Sequence, residues 1–447
     1  MLFLLQDLIV NWWIALFLIV IYIITLLFLY YYLTVIELLN YLFIWNFGRF
    51  GFSIIIIFDV CFGLDVMNYW FLYLCHLLFP LLYFICWFES SFIYLFFIVG
   101  FILYCCFIII SFFLFIVYFE LAIILLLFQL LVKSYSNYRV RSSFIYFLYS
   151  SLSSLFLFIV TITIIWFLYI SYIIIIGLSM LLSLAIKVPI WPFQYWLTIV
   201  HSEASTSLSL LLASIILKLG IYAIIRFCII YFYISISYYI SILILSSMIG
   251  IILPFLDLFL RLNFKILIAL SSISYMNIIS AAISTNSFAG FYAAVIISIS
   301  HGLSSISLFL FTSIIINKSL SHYIDSIWFI SISYRFIFFV ILLANLSFPF
   351  SLSFIGEFLA LFCIFAISFI FILIFLSSSI VTSILFLVFF NRVILYLSLS
   401  FIFYITILDL LLLLFFGPYN YFIGSSFLLS WIMNILLYFL LAFNHFY

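Results

Sequence analysis

Charge is scarce in this sequence. Lys and Arg number 12 and Asp and Glu 11 in 447 residues, 5% of the chain, with a formal net charge of +1. So few charges cannot cover a water-soluble surface. They form no basic patch, which excludes nucleic acid as a partner. The seven cysteines have no metal-ligand spacing: there is no CxxC and no Cys/His cluster for a metal or an iron–sulfur centre. Cys105 and Cys106 are adjacent and flanked by Leu103, Tyr104, Phe107 and Ile108, so they read as buried small hydrophobes. Five scattered histidines do not supply the paired intramembrane ligands of a haem carrier. No Pro-, Gly- or Ser-rich linker marks off a soluble domain. The start, Met1 to Asp7, carries neither a basic segment nor an Arg/Ser-rich amphipathic stretch, so no cleaved targeting peptide is expected.

What is present is hydrocarbon. Hydrophobic residues make up 71% and aromatics 24%, with 63 Phe and 33 Tyr, and the mean hydropathy is +1.60. The bias toward Phe, Ile, Leu and Tyr fits an AT-rich organellar genome. The apolar runs suit spanning helices of about 20 residues rather than barrel strands of about 10. The expectation is an all-α polytopic membrane protein of about 14 transmembrane helices. Spans fall near 9–34, 68–87, 92–110, 112–131, 144–169, 171–200, 206–231, 236–258, 264–286, 288–316, 332–365, 367–394, 398–416 and 425–443. Region 35–66, with Asn46, Gly48, Arg49, Gly51 and Asp65, reads as a non-spanning excursion, a hairpin at the surface. The whole of 1–447 reads as a single transmembrane domain.

Two spans are interrupted. One holds Lys187, Pro189 and Pro192; the other runs from Asn345 through Ser347 and Pro349 to Gly356 and Glu357. Proline frees backbone groups that only a protein-lined or watery cavity can satisfy. An ionisable side chain in a membrane span costs a few kcal/mol or more, and usually marks a path for ions or protons. Two broken spans of this kind, in corresponding halves of a chain, are the pattern of repeat-built transporters.

Glu120 lies in mid-span and reads either as a protonated, hydrogen-bonded acid or as a proton acceptor set by a nearby cation. Lys218 falls about 12 residues from the preceding polar stretch, near mid-bilayer at about 1.5 Å per residue, too deep to snorkel. A Lys–Glu pair exchanges a proton when its partner moves. His301 reads as a core histidine or a proton shuttle. His201 and Glu203 line an exit or sit at the membrane interface. Arg226, Lys265, Arg335 and Arg392 read as anchors near span ends, and His76, His322 and His445 have no assigned role. The ordered set Glu120, Lys187, Lys218, His301 and Glu357 alternates acids and bases, and such sparse buried charges are expected to share one hydrated file.

The run Lys187–Ala204 resembles the antiporter-like subunits of respiratory complex I, with Lys187, Pro189, Trp196, Leu197, His201, Glu203 and Ala204 at matching positions. Gln194 stands at the family's first histidine, Thr198 and Ser205 at its later prolines and Val200 at an alanine. The likeness continues through Leu217–Tyr222, Arg226–Phe227, Lys265–Met276, Ser300–Leu303 and Gly356–Glu357, over roughly 110–395. The acid at Glu357 resembles a mitochondrially encoded member, since its siblings carry lysine there. The resemblance implies an antiporter-like core at about 90–395, discontinuous helices in an inverted repeat, and Glu120 with Lys187 as coupling pair. It implies Lys218 and His301 as central relay and Glu357 as outlet acid. Gln194, Asn263 (often Asp in the family) and Tyr275 (usually His) remove titratable or polar partners, so no relay is expected through those three.

The implied function is proton translocation in a membrane-arm subunit of NADH:ubiquinone oxidoreductase, driven by quinone reduction elsewhere in the complex. The chain itself carries no cofactor on this reading; FMN, iron–sulfur clusters and ubiquinone belong to other subunits. Its partners are membrane-arm subunits, sibling antiporter-like subunits among them, and lipids, in the mitochondrial inner membrane. The competing readings are a cation/proton antiporter of the same ancestry, a haem-bearing electron carrier and a purely structural membrane subunit.

Overall fold

A computed structural model describes residues 56–59, 62–64, 66–89, 93–133, 138–166, 173–228, 236–258, 263–319, 332–349 and 351–365, with 371, 373, 375–377 and 380. The spans expected near 9–34, 398–416 and 425–443, and most of 367–394, lie outside these residues, as do Arg392, His322 and His445.

Two short strands, β1 (Ile56–Asp59) and β2 (Phe62–Leu64), pair antiparallel with Ile56 opposite Leu64. This hairpin falls in the region expected not to span, and is the one departure from an all-helical architecture among the described residues. Helices α1 (Val66–Glu89), α2 (Ile93–Ile108), α3 (Phe112–Lys133) and α4 (Arg139–Trp166) follow. The first broken pair is α5 (Ile173–Lys187) and α6 (Tyr195–Glu203). Helices α7 (Thr206–Leu211) and α8 (Leu217–Ala223) are joined by a π-helical turn, Leu212–Ile216, and a second π turn, Ile224–Cys228, follows. Then come α9 (Ile236–Leu258), α10 (Phe264–Ser284) and α11 (Phe288–Ser319). The second broken pair is α12 (Ile332–Asn345) and α13 (Leu352–Phe365). Each break falls where the sequence places proline.

Among the described residues five helices are long and apolar enough to cross a membrane: Phe112–Val132, Arg139–Ile162, Thr206–Phe227, Phe264–Ser284 and Phe288–Ile316. The last three are almost wholly enclosed by protein, whereas α3 and α4 keep broad exposed apolar faces, Phe113, Ile124, Phe144 and Leu155 among them. The inner layer is therefore α7–α8, α10 and α11. Helix α10 packs against α9 and α11, and α11 against α13.

Serine makes that inner layer possible. Ser271, Ser272, Ser274, Ser280 and Ser284 on α10, and Ser298, Ser300, Ser305 and Ser307 on α11, each donate to the carbonyl three residues earlier. Their polar atoms are satisfied within their own helix, while their small size allows close helix approach. Asn263 caps α10, its side chain accepting from Lys265 N at 3.1 Å. An amide oxygen meets that need as well as a carboxylate does.

Gly356 is where α13 crosses α11. A Cβ there would stand 2.6 Å from Ile297 Cγ1 and 3.1 Å from Ile297 N. Backbone cannot retreat as a side-chain tip can, so Gly356→Ala is expected to destabilise the fold by about 1–3 kcal/mol through overpacking. A lowered thermal transition in detergent would report it; an unchanged transition would refute the contact.

Candidate functional site

The first helix break is a knot of backbone and side-chain ties. Val188 N donates to Leu184 O at 2.8 Å and Ile190 N to Ala185 O at 2.9 Å, which carries the chain past Pro189 without an orphaned amide. The indole of Trp196 donates back to Ile186 O at 3.0 Å, tying α6 to α5 across the break. Gly220 on α8 gives the break its seat: a Cβ there would lie 2.6 Å from Val188 Cγ2 and 3.7 Å from the carbonyl carbon of Lys187.

Lys187 is the last residue of α5, and its side chain crosses to α3. Its Nζ donates to Glu120 Oε1 at 2.7 Å and sits 3.8 Å from the centroid of the Phe119 ring. The lysine side chain is 5% exposed and the glutamate 22%. The ammonium therefore has a carboxylate on one side and a π face on the other, both favourable to a cation. A small cavity of about 20 Å³ adjoins Lys187, lined also by Tyr146, Ser150, Ser153 and Trp196. It has room for about one water and hydroxyls to hold it.

Lys218 is fully buried on α8. Its Nζ donates to Ala213 O, five residues back inside the π turn, at 2.5 Å. Widened turns of this kind occur often at functional sites. The ammonium has no carboxylate partner among the described ion pairs. Its chain packs beside α11, where a Cβ at Gly302 would stand 3.5 Å from Lys218 Cε. The residue before that glycine is His301, 2% exposed, with neither ring nitrogen hydrogen-bonded among the described residues. Its ring stacks on Tyr275 at 4.8 Å between centroids.

Glu357 lies on α13 and is half-buried. Its Oε1 accepts from Ser347 Oγ in the second break. Around it, Tyr275 donates to Asn345 O, and Ser304 donates to Asn345 Oδ1 at 3.2 Å. Ser353 donates to Ala344 O at 2.8 Å, and Ser351 Oγ accepts from Phe354 N at 3.3 Å. The second break is thus a nest of hydroxyls.

The structure accordingly joins Glu120 to Lys187, and sets Lys218 against the segment that holds His301. Glu357 joins this group through hydroxyls, with no direct contact to His301. His201 is fully buried and stacked on Phe309 at 5.0 Å, and neither of its nitrogens has a described partner. Glu203 is half-buried. Lys265 is no surface anchor: it is buried and its Nζ holds Ala204 O at 2.7 Å, pinning α6 to α10. Arg226 reaches Asn68 Oδ1 at 3.5 Å, beside Tyr222. His76 Nε2 lies 3.4 Å from the Tyr104 hydroxyl. Sequence reasoning passed over Asn277, set Tyr275 aside as a lost histidine and gave Ser347 no role beyond its place in the break. Asn277 sits over Gly250, where any Cβ would overlap its carboxamide, and its Oδ1 is 3.5 Å from Trp191 N. The clustering of Asn345, Ser347, Pro349, Ser351 and Ser353 was the available signal.

The family of transmembrane NADH:quinone oxidoreductase and Mrp antiporter proteins matches residues 109–383. NADH-ubiquinone oxidoreductase chain 4 of Metridium senile is 35% identical over 187 residues, 41% of this chain and 38% of that protein. The chain 4 protein of Wickerhamomyces canadensis is 36% identical over 199 residues, 43% of this chain and 38% of that protein. The chain thus aligns with about two fifths of the length of these relatives. A chain of respiratory complex I from Thermus thermophilus shares the fold, with a TM-score of 0.76, 20% identity and coverage of 81% of this chain and 82% of that one.

Removing one member of a buried ion pair strands the other charge, at a cost of about 3–5 kcal/mol. Glu120→Ala is therefore expected to lower stability by about 3 kcal/mol, and adding Lys187→Met to recover much of that loss. Thermal unfolding of the single and double variants measures the coupling. Additive losses would mean the two side chains are independent.

Proposed function

The chain belongs to the NADH:quinone oxidoreductase/Mrp antiporter transmembrane family, and from that premise we propose that it is a proton-translocating membrane subunit of respiratory NADH:ubiquinone oxidoreductase. On this reading it corresponds to chain 4, sits in the mitochondrial inner membrane and is encoded in the organelle. Its neighbours are the other membrane-arm subunits, including its antiporter-like siblings. It performs no redox chemistry; FMN, the iron–sulfur clusters and ubiquinone belong to other subunits. The full chain forms one transmembrane domain of about 14 spans, with a core at about 90–395 in which the two broken helices are related as an inverted repeat.

The contact that carries this reading is Lys187 on Glu120 at the mouth of the first break. In a low-dielectric interior an ammonium keeps its proton as long as a carboxylate faces it. Charge changes driven by quinone reduction elsewhere in the complex draw Glu120 away, and the proton is released. Lys218 takes it up, His301 passes it on and Glu357 receives it at the outlet. Exposure supports this order. The three middle residues are nearly or fully buried, while Glu120 and Glu357 at the two ends stay partly open. End groups must exchange protons with a neighbour or with water; middle groups must not.

The family name also covers Mrp antiporters. Sodium-dependent proton exchange without NADH or quinone would select that alternative.

Lys187→Met in the intact complex keeps the shape of the stem and removes the exchangeable proton. The protons moved per electron are expected to fall while NADH oxidation by other subunits persists. A ratio equal to that of the unmodified complex would rule the relay out.

A further inference from the structure

Tyr275 lies in the middle of α10, buried, with its hydroxyl turned into the second helix break. It donates to the backbone carbonyl of Asn345, the last residue of α12, and lies 3.4 Å from Ser347 Oγ. Ser347 Oγ in turn donates to Glu357. On its other face the Tyr275 ring stacks on His301 at 4.8 Å and 20°. One phenol therefore touches the relay histidine on one side, and on the other the serine bound to the outlet acid. The sequence argued against this position, because tyrosine replaces a titratable histidine. The geometry argues for it.

We propose that Tyr275 and Ser347 form a hydroxyl wire carrying protons from His301 to Glu357, and that Tyr275 gates it by turning between two acceptors. The proposal rests on reading the chain as a proton conductor. A phenol is both donor and acceptor, so it can pass a proton without becoming an ion. Its parking acceptor exists because of the break: the last carbonyls of a helix have no partner within that helix, and Asn345 O is one of them. While the Tyr275 proton rests there, the wire is open between Tyr275 and Ser347. When the hydroxyl turns to Ser347, every proton in the line points at Glu357.

The transfer balances. The imidazolium of His301, whose nitrogens have no described partner, turns out of the stack and gives up one proton to the Tyr275 oxygen. A new O–H bond forms at Tyr275 as its former proton passes to Ser347. The former Ser347 proton passes to the Glu357 carboxylate. Both hydroxyls end neutral and reversed, the carboxylate ends as an acid and no electron moves. Rotation of the two hydroxyls resets the line. Ser347 is fixed for this task by its backbone, with φ of 53°, a conformation that L-residues seldom adopt.

The test uses the intact complex in inner-membrane vesicles oxidising NADH, with protons per electron as the readout and native gels to verify assembly. Tyr275→Phe keeps the stacked ring and removes only the hydroxyl. Its ratio is expected to fall to that of Glu357→Gln, and Tyr275→His, which restores a proton-carrying group, to recover it. Ser347→Gly relieves the backbone and deletes Oγ, and is expected to match Tyr275→Phe. It also decides the matter if the phenylalanine variant does not assemble. Normal ratios in Tyr275→Phe and Ser347→Gly beside a lowered ratio in Glu357→Gln would overturn the wire and leave the pumping role standing. A loss in Tyr275→Phe that histidine does not repair would also overturn it, by assigning the phenol a packing role. Normal ratios in Glu357→Gln and Lys187→Met as well would overturn the pumping role itself.

Discussion

An ion inside a hydrocarbon-lined protein must be neutralised where it stands, and the rest of this architecture follows from that demand at Lys187. The ammonium needs Glu120 within hydrogen-bond reach, so α3 must lie beside the end of α5. The carboxylate covers one side of the cation, and Phe119 covers another. Gly220 lets α8 close against the backbone that follows Lys187. The break after Lys187 is then less a weakness in a helix than a way to end it at the lysine. A continuous helix would commit the following amides to the ladder; the proline turn sends them elsewhere.

The two breaks solve different problems with one device. At the first, the carbonyls of Ala185 and Ile186 accept from Ile190 N and the Trp196 indole, and the charged group is met by a carboxylate. At the second, the freed carbonyls of Ala344 and Asn345 are met by Ser353 and Tyr275, and the acid is met by a hydroxyl. A charge pair holds a proton tightly until its partner moves. A hydroxyl cluster holds none, yet offers a path for one. On the proposed reading, the first break suits storage of a proton and the second its passage.

Much of the scaffold was legible from residue order alone. The expected spans 112–131, 206–231, 236–258, 264–286 and 288–316 fall on α3, the run from α7 through α8 to the second π turn, α9, α10 and α11 to within a few residues. An apolar run bounded by polar residues leaves the backbone little choice in lipid. Both interruptions were readable because proline cannot continue the ladder. Partners were harder to read. That Lys265 would bind Ala204 O inside the protein, rather than anchor at a span end, depends on how α6 folds back after its break. No local pattern records that. Asn263 looked like a lost carboxylate and is a helix cap. Tyr275 looked like a lost base, because residue type announces titration but not the position of a hydroxyl. The π turns around Lys218 left no trace in composition.

The serines of α10 and α11 have an effect beyond filling space. Where a serine hydroxyl bonds to a carbonyl of its own helix, as at Ser272, Ser280, Ser298 and Ser305, that bond needs no partner on the neighbouring helix. These serines therefore add little more bulk than an alanine would, and leave the specific contact between α10 and α11 to larger side chains such as Tyr275 and His301, whose rings meet across the seam.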